Sequence, residues 1–201
     1  MIKSEIKYKR MIEDTDGNGC YIPLRVKTDT WFDRLFYHQY YRSVEGDDLE
    51  ITFDTELQAV REVSFLVAKK TDIFVQPKAC CFESSELKII IPNESLNYNN
   101  YSHVVKVTSV NVVWCGKSDI MILIDDNRIM DLKCYYFDEN NGILFYGNEV
   151  AGVHMKNITD EEKQELLRYR TYDEETHSWR DLREKVGPPV KLMTPYVKKQ
   201  E

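Results

Sequence analysis

The sequence predicts an α+β fold in which a mostly antiparallel sheet is built from two duplicated β-meander halves. Two observations predict the sheet: apolar and polar residues alternate across 47–75, and a similar alternation returns across 118–146. A third observation predicts helices, because apolar residues have helical spacing near 29–41 and a capping signal lies further along the chain. We therefore expect one helix near 29–41 and further helices at the C-terminal end.

The length and composition favour one main domain. The chain has 201 residues, of which 42% are hydrophobic, so it can bury a substantial core. Because domains usually contain about 100–150 residues, we expect a single α+β domain over 1–170. Residues 171–201 are expected to add a short helix and a basic tail that is interrupted by prolines.

The first copy of the alternating pattern predicts a β-hairpin. Leu49, Ile51 and Phe53 alternate with polar residues, as in a strand that buries one face, and a polar turn follows them. Val63 and Phe65 continue the alternation in the return strand. With a short third strand around residue 73, this copy is interpreted as a three-stranded meander.

The second copy repeats this order of elements. The segment 118–136 again alternates, turns and alternates, which predicts a second hairpin. Asn141-Gly142 follows, the residue pair that most strongly favours a two-residue hairpin turn, and 143–146 is the expected third strand. The sequence therefore predicts an internal repeat of 47–75 and 118–146.

Helix signals lie before and after these strands. Asp29 or Thr30 precedes apolar residues with helical spacing, which are Trp31, Phe32, Leu35 and Phe36. Thr159 and Glu162 have the spacing of a capping box, so a helix is expected from there to about Arg170. A second short helix is expected over 177–186, where apolar residues fall on one stripe.

The charge of the chain restricts its partners. A formal net charge of −7 disfavours direct binding of nucleic acid, because clustered lysine and arginine drive phosphate binding. A basic protein partner is better matched to an acidic chain. Acidic residues bunch at 45–50, 160–162 and 173–175, although most such runs are only solvated surface.

One segment has the pattern of half a calcium loop. Asp14, Asp16 and Asn18 take the first, third and fifth positions of an EF-hand loop, where side chains converge on the ion. The twelfth position, which should carry a bidentate glutamate, is Arg25. A hairpin turn is therefore favoured over a calcium site, and no metal or other cofactor is predicted.

The cysteines and the apolar runs predict a location. Five cysteines fit neither a disulfide framework nor a paired zinc spacing. The first residues lack the apolar segment of a signal peptide, and no run approaches the roughly 18 apolar residues of a membrane helix. We therefore expect a cytoplasmic protein that has no membrane partner.

His38 is the candidate general base, since an imidazole near neutral pH suits proton transfer. No serine or cysteine nucleophile is tied to it by spacing, so a packed or surface histidine is favoured and no catalytic residue is predicted. Tyrosines near it are candidate interface anchors, because tyrosine provides a large contact area at low entropic cost. The predicted partner-binding residues are Tyr37, Tyr40, Tyr41, Glu45, Asp47, Asp48 and Glu50.

Four features follow one another in this chain: the Asn141-Gly142 turn, the strand over 143–146, Val153 and the segment Thr159 to Glu162. Their order resembles that of the immunity proteins, small acidic bacterial proteins that neutralise secreted toxins. The resemblance implies a cytosolic protein without catalysis that uses acidic and aromatic surfaces to block the active site of a toxin.

The leading hypothesis is a non-enzymatic, acidic binding protein, an immunity-type inhibitor that neutralises a basic protein partner by occlusion. Two alternatives stay open. One is a small hydrolase or transferase whose site is assembled around His38 with acidic partners. The other is a structural subunit of a phage or secretion assembly, which predicts large apolar patches and self-association.

Overall fold

The structure is a computed structural model that describes residues 6–13, 21–28, 36–44, 48–54, 58–67, 73–76, 82, 84–86, 101–125, 131–167, 170–175 and 178–181. These residues form β-strands and one α-helix, α1 (Asp160–Leu167). In chain order the strands are β1 (Tyr8–Glu13), β2 (Tyr21–Thr28), β3 (Phe36–Ser43), β4 (Asp48–Asp54), β5 (Ala59–Val67), β6 (Ile73–Gln76), β7 (Ser84–Glu86), β8 (Tyr101–Val107), β9 (Val110–Cys115), β10 (Asp119–Ile124), β11 (Lys133–Tyr136), β12 (Asn141–Tyr146), β13 (Glu149–Met155), β14 (Arg170–Asp173) and β15 (Ser178–Asp181).

The described strands form two sheets. The six-stranded sheet has the order β1-β2-β5-β4-β3-β8, and the nine-stranded sheet has the order β14-β15-β6-β9-β10-β13-β12-β11-β7. Both sheets are mixed, because β3 runs parallel to β8 in the first, and β6–β9 and β7–β11 are parallel pairs in the second. The structure therefore confirms a sheet-rich fold, but each sheet combines parallel and antiparallel pairs.

The two sheets share one hydrophobic core. Leu49, Ile51 and Val63 of the six-stranded sheet are fully buried in the same cluster as Ile120 and Ile122 of the nine-stranded sheet. Complete burial of a side chain of this size contributes about 1.5–3 kcal/mol. One apolar face of each sheet therefore packs on the other, and this contact holds the fold together.

A second, smaller cluster lies on the opposite face of the nine-stranded sheet. Val113 and Met121 belong to it, whereas their chain neighbours Trp114 and Ile120 belong to the main core. This division is expected because successive side chains of a strand point to opposite faces of the sheet. Cys115, also in this cluster, is disulfide-bonded, and its partner lies outside the described residues. The sequence did not predict this disulfide, because five cysteines at these spacings match no disulfide framework.

The first predicted hairpin is confirmed, and the second is wrong. β4 and β5 pair with Leu49 opposite Phe65 and Ile51 opposite Val63. In contrast, β10 pairs with β9 and β13, and β11 pairs with β12 and β7, so 118–136 is no hairpin. β6 lies in a different sheet from β4 and β5. The duplicated meander is absent from these strands, because alternation identifies a strand without specifying its partner.

The helix expected near 29–41 is replaced by a strand wherever the chain is described. Phe36–Ser43 is β3, while 29–35 lies outside the described residues. β3 pairs with β4 on one side and β8 on the other. Aromatic residues favour strands when neighbouring strands flank them. The tertiary pairing therefore overrides the helical spacing that the sequence shows around Phe36.

The C-terminal helix prediction is partly right. α1 begins at the predicted capping box: the Thr159 amide donates to Glu162 Oε2 at 2.8 Å, and the Glu162 amide donates to Thr159 Oγ1 at 3.2 Å. The helix expected over 177–186 is wrong where it is described, because 178–181 is β15, paired with β14 and β6. No helix in the described ranges has the length and apolarity that a membrane crossing requires.

The predicted Asn141-Gly142 turn is also corrected. Both residues lie in β12, and the connection from β11 is the stretch 137–140, where Asp138 Oδ1 accepts from the Asn140 and Asn141 amides. Glycine at 142 has a packing reason instead: a Cβ there would stand 2.6 Å from the sulfur of Cys134. Close packing between β11 and β12 therefore accounts for the glycine at 142.

Candidate functional site

The candidate site lies on the face of the six-stranded sheet that is turned away from the core, which we call the outer face. Strand alternation places Leu49, Ile51 and Phe53 in the core and leaves the intervening residues of β4 on the outer face. The strand register aligns these residues in rows across the sheet. One row is Lys27, Glu62, Thr52 and His38; the next is Arg25, Ser64, Glu50, Tyr40 and Val104; a third is Asp48, Arg42 and Lys106.

His38, Glu50 and Thr52 form the centre of the outer face. His38 Nδ1 lies 2.6 Å from Glu50 Oε1, and Thr52 Oγ1 lies 3.0 Å from the same nitrogen. The Thr52 hydroxyl also donates to Glu50 Oε1 at 3.3 Å. Because an ionised carboxylate only accepts hydrogen bonds, Nδ1 carries the proton that it donates to Glu50. The lone pair of a neutral His38 ring is therefore on Nε2.

The environment of Glu50 favours its charged form. Burial alone raises the pKa of Glu50, but hydrogen bonds and charge from His38, with hydrogen bonds from Tyr40 and Thr52, outweigh burial and hold its pKa below the ordinary value. Burial, and then the nearby Glu50 charge, raise the pKa of Tyr40. Glu50 is thus a carboxylate at neutral pH, and Tyr40 is a neutral phenol that donates to it.

Aromatic rings flank this centre along β3. Phe36 meets His38 edge to face with ring centroids 4.7 Å apart, and His38 stacks on Tyr40 at 5.7 Å. The guanidinium of Arg61 lies 4.7 Å from the centroid of Phe36. The outer face therefore carries a line of three rings, Phe36, His38 and Tyr40, on a strand that is paired on both sides.

Two ion pairs border the rings. Arg42 donates to both oxygens of Asp48 at 2.9–3.2 Å, and these bonds raise the pKa of Arg42. Arg25 Nε lies 3.0 Å from Glu62 Oε1, which also accepts from Ser64 at 2.7 Å. Each of these carboxylates thus faces a guanidinium, whereas Glu50 faces an imidazole and two hydroxyl groups.

The structure brings together some of the predicted partner-binding residues. Tyr40, Asp48 and Glu50 lie on the outer face. Tyr37 and Tyr41 point the other way: Tyr41 is 4% exposed in the core, and Tyr37 stacks against Phe53 there. Tyr41 therefore offers almost no surface to a partner. The predicted residues Glu45 and Asp47 lie outside the described residues.

Sequence reasoning missed several members of the outer face. It did not select Phe36, Arg42, Thr52 or the Arg25–Glu62 pair. Reading residues 36–43 as a strand would have placed Phe36 and Arg42 beside Tyr40 by period two. The pairs between strands had no signal in the sequence, because they depend on the register between strands.

The calcium-loop residues Asp14, Asp16 and Asn18 lie outside the described residues. Within the stretches that the structure describes, no group of three or more His, Cys, Asp or Glu side chains is placed to hold a metal ion. The polar groups that the outer face does present are the imidazole of His38, the carboxylate of Glu50 and the hydroxyl of Thr52.

A second polar cluster surrounds His154 on the far face of the nine-stranded sheet. His154 is completely buried, Tyr136 places its hydroxyl 2.8 Å from Nδ1, and Nε2 lies 3.6 Å from Asp119 Oδ2. Burial lowers the pKa of His154 to about 4, and it raises the pKa of the nearby Cys134 thiol to about 11. His154 is thus a neutral core residue and Cys134 an unreactive thiol.

No protein-family model matches the chain, and no curated protein matches it either.

Proposed function

We propose that this chain is a non-enzymatic binding domain, an immunity-type inhibitor, that covers a basic protein partner with the outer face of its six-stranded sheet. The observation that carries the proposal is the ring line Phe36, His38 and Tyr40, which projects from the sheet beside the Glu50 carboxylate. Interfaces take most of their affinity from a few aromatic and arginine anchors surrounded by polar groups. The outer face has this composition.

The rigidity of β3 supports the same proposal. β3 pairs with β4 and β8 over its length, so its side chains are held in position before a partner arrives. A preorganised surface loses less side-chain and backbone entropy on association, which leaves more of the contact energy for affinity. The rings are therefore better placed as anchors than they would be on a loop.

The basic character of the partner follows from the charge of the chain. A formal net charge of −7 attracts a basic protein and speeds its association. Asp48 contributes less to this attraction than the sequence suggested, because Arg42 neutralises it. Steering by Glu50 and by the net charge predicts that association slows as salt is added.

The test captures the partner on the purified chain from a lysate of the source cells. The Tyr40→Ala variant removes a ring of the outer face, and Tyr146→Ala, an exposed tyrosine of β12 in the other sheet, is the matched control. The proposal expects one stoichiometric partner that is retained by Tyr146→Ala and bound about tenfold or more weakly by Tyr40→Ala. Equal retention of the partner by both variants would show that the binding surface lies elsewhere on the protein.

The inhibitory role has its own test. The captured partner is assayed for activity alone and with one equivalent of this chain. An inhibitor abolishes the activity at one equivalent, and Tyr40→Ala restores it. A partner that stays fully active in the complex would show that the chain binds without inhibiting.

The proposal keeps the cytoplasmic location that the sequence predicts, and the disulfide at Cys115 gives this location a sharp test. Disulfides are rare in the cytosol because cellular reductants keep thiols reduced. Fractionation of the producing cells, followed by thiol labelling, would report the compartment. Recovery from an oxidising compartment would overturn the cytoplasmic location and leave the binding proposal intact.

The second candidate function is a small hydrolase or transferase that uses His38 as a general base. It is favoured by the contact of 2.6 Å between His38 Nδ1 and Glu50, which orients the ring and leaves Nε2 to accept a proton. The purified chain would be assayed on ester and phosphoester substrates beside His38→Gln. Turnover that His38→Gln abolishes would support the enzyme, and equal turnover in both would reject it.

A further inference from the structure

We propose that the outer face binds an arginine side chain of its partner, with the guanidinium held between the Glu50 carboxylate and the ring of Tyr40. This inference rests on the proposed function and names the chemistry that the partner presents to the site. Three observations support it: the contacts of Glu50, the cost of removing water from its carboxylate, and the ring contacts on the same face.

Three carboxylates of the outer face differ in the side chains that they contact. Asp48 faces Arg42 at 2.9 Å, and Glu62 faces Arg25 at 3.0 Å. Glu50 differs, because its contacts within the described part of the chain are His38, Thr52 and Tyr40, with neither a lysine nor an arginine among them. Glu50 is therefore the carboxylate of the three that a cation from outside can still neutralise.

A bound partner would remove water from the Glu50 carboxylate. The Glu50 side chain is 18% exposed, so solvent still reaches it in the free protein. A protein that covers the outer face displaces that water, and an ionised carboxylate that loses water without gaining a cation costs several kcal/mol. A partner that brings a positive charge to Glu50 avoids this cost.

The rings select arginine over lysine. Tyr40 and His38 are nearly parallel, with an interplanar angle of 16°. The guanidinium of Arg61 lies 4.7 Å from the centroid of the Phe36 ring, so a guanidinium can pack against a ring of the outer face. A guanidinium is planar, stacks on aromatic rings and bonds a carboxylate through a fork of donors, whereas an ammonium does none of these as well.

The first experiment uses a small probe instead of the partner. N-acetyl-arginine methylamide is titrated into the isotope-labelled full chain, and the NMR signals of the Tyr40 ring and the Glu50 carboxyl are followed. We expect saturable shifts at both residues and a weaker response to N-acetyl-lysine methylamide. Equal shifts with the two compounds, or none with arginine, would overturn the inference.

Two matched variants make this experiment specific. Glu50→Gln removes the charge but keeps a carbonyl that can accept from His38 and Thr52, and it should lose the response to the arginine probe. Glu161→Gln removes an exposed carboxylate of α1, away from the outer face, and it should respond like the native chain. Urea unfolding of both variants confirms that they fold. A folded Glu50→Gln variant that still binds the probe would overturn the inference.

Capture of the partner by the variants distinguishes failure of this inference from failure of the proposed function. If the partner is lost by Tyr40→Ala but bound normally by Glu50→Gln, the arginine inference fails and the proposed function stands. If the probe binds at Glu50 and no partner is captured, the arginine site stands and the proposed function fails. If the outer-face signals shift with protein concentration alone, a second copy of the chain is the occupant and the inference fails.

Discussion

Two histidines of this protein have the same kinds of partner and opposite surroundings. His38 contacts the Glu50 carboxylate at 2.6 Å and a threonine hydroxyl at 3.0 Å on the outer face, where its side chain is 22% exposed. His154 contacts a tyrosine hydroxyl at 2.8 Å and faces Asp119 at 3.6 Å with no exposure at all. The comparison shows that burial, more than the identity of the neighbours, distinguishes the two imidazoles, because solvent reaches His38 and does not reach His154.

The largest expected effect is on stability and distinguishes the two histidines directly. His154→Ala leaves a cavity in a packed region and should lower the free energy of unfolding by about 3 kcal/mol. His38→Ala removes a half-buried ring and its hydrogen bond, and should cost about 1 kcal/mol. Urea unfolding followed by circular dichroism measures both. Equal losses in the two variants would contradict the contrast.

The pH dependence of stability should be nearly as large. Burial lowers the pKa of His154 from 6.5 to about 4, so between these values the unfolded chain takes up a proton that the folded chain does not. The free energy of unfolding therefore has its full value above pH 6.5, and it falls by about 3 kcal/mol as the pH drops to about 4. Unfolding of the native chain and of His154→Gln across this range tests it, since the variant should lack the slope.

Glu50 titrates in a lower pH window than His154, which sharpens the comparison. The pKa of Glu50 is held below its ordinary value of 4.5, so the stability that its hydrogen bonds contribute is present above pH 4.5 and is lost only at lower pH. Glu50→Gln should therefore keep the slope between pH 6.5 and 4.5. Loss of this slope in Glu50→Gln would show that the slope comes from the outer face and not from His154.

A smaller effect is expected when only a hydroxyl is removed. Tyr136→Phe leaves Nδ1 of a fully buried imidazole without its hydrogen-bond partner and should cost about 1–3 kcal/mol. Thr52→Val, in the other cluster, should cost about 1 kcal/mol, because His38 and Glu50 remain bonded to each other. Thermal and urea unfolding of the two variants provide the measurement. A larger loss for Thr52→Val would reverse the ranking.

The smallest effect is expected at the border of the outer face. The Arg42 side chain is 59% exposed, so solvent screens its pair with Asp48. Arg42→Ala should therefore lower the free energy of unfolding by no more than about 1 kcal/mol, and by less at high salt. Urea unfolding at low and high salt checks both statements. A loss comparable with that of His154→Ala would show that the pair is buried in solution.

Some elements were predictable because their signals are local. The hairpin of β4 and β5 follows from alternating residues on either side of a short turn, and α1 follows from Thr159 and Glu162, whose side chains cap the helix. Both depend on residues close in sequence. The same reasoning selected Tyr40 and Glu50, which the structure places on the outer face, and proposed acidic partners for His38, one of which is Glu50.

Other elements were not predictable because distant pairings decide them. β3 was expected to be a helix, but it lies between β4 and β8, and β8 is about sixty residues away along the chain. The stretch 178–181 was also expected to be helical and instead pairs with β14 and β6. Propensity for a strand depends on the neighbours that a strand finds, so local spacing alone misleads.

The sequence by itself determined which side chains share a face. The pleat of a strand sends successive residues to opposite sides, so Leu49, Ile51 and Phe53 had to face together and Glu50 and Thr52 had to face away. Only the tertiary structure decided which strands meet and which face packs into the core. Register between strands far apart in the chain is set by the packing of the whole core, and it is this register that places His38 beside Glu50.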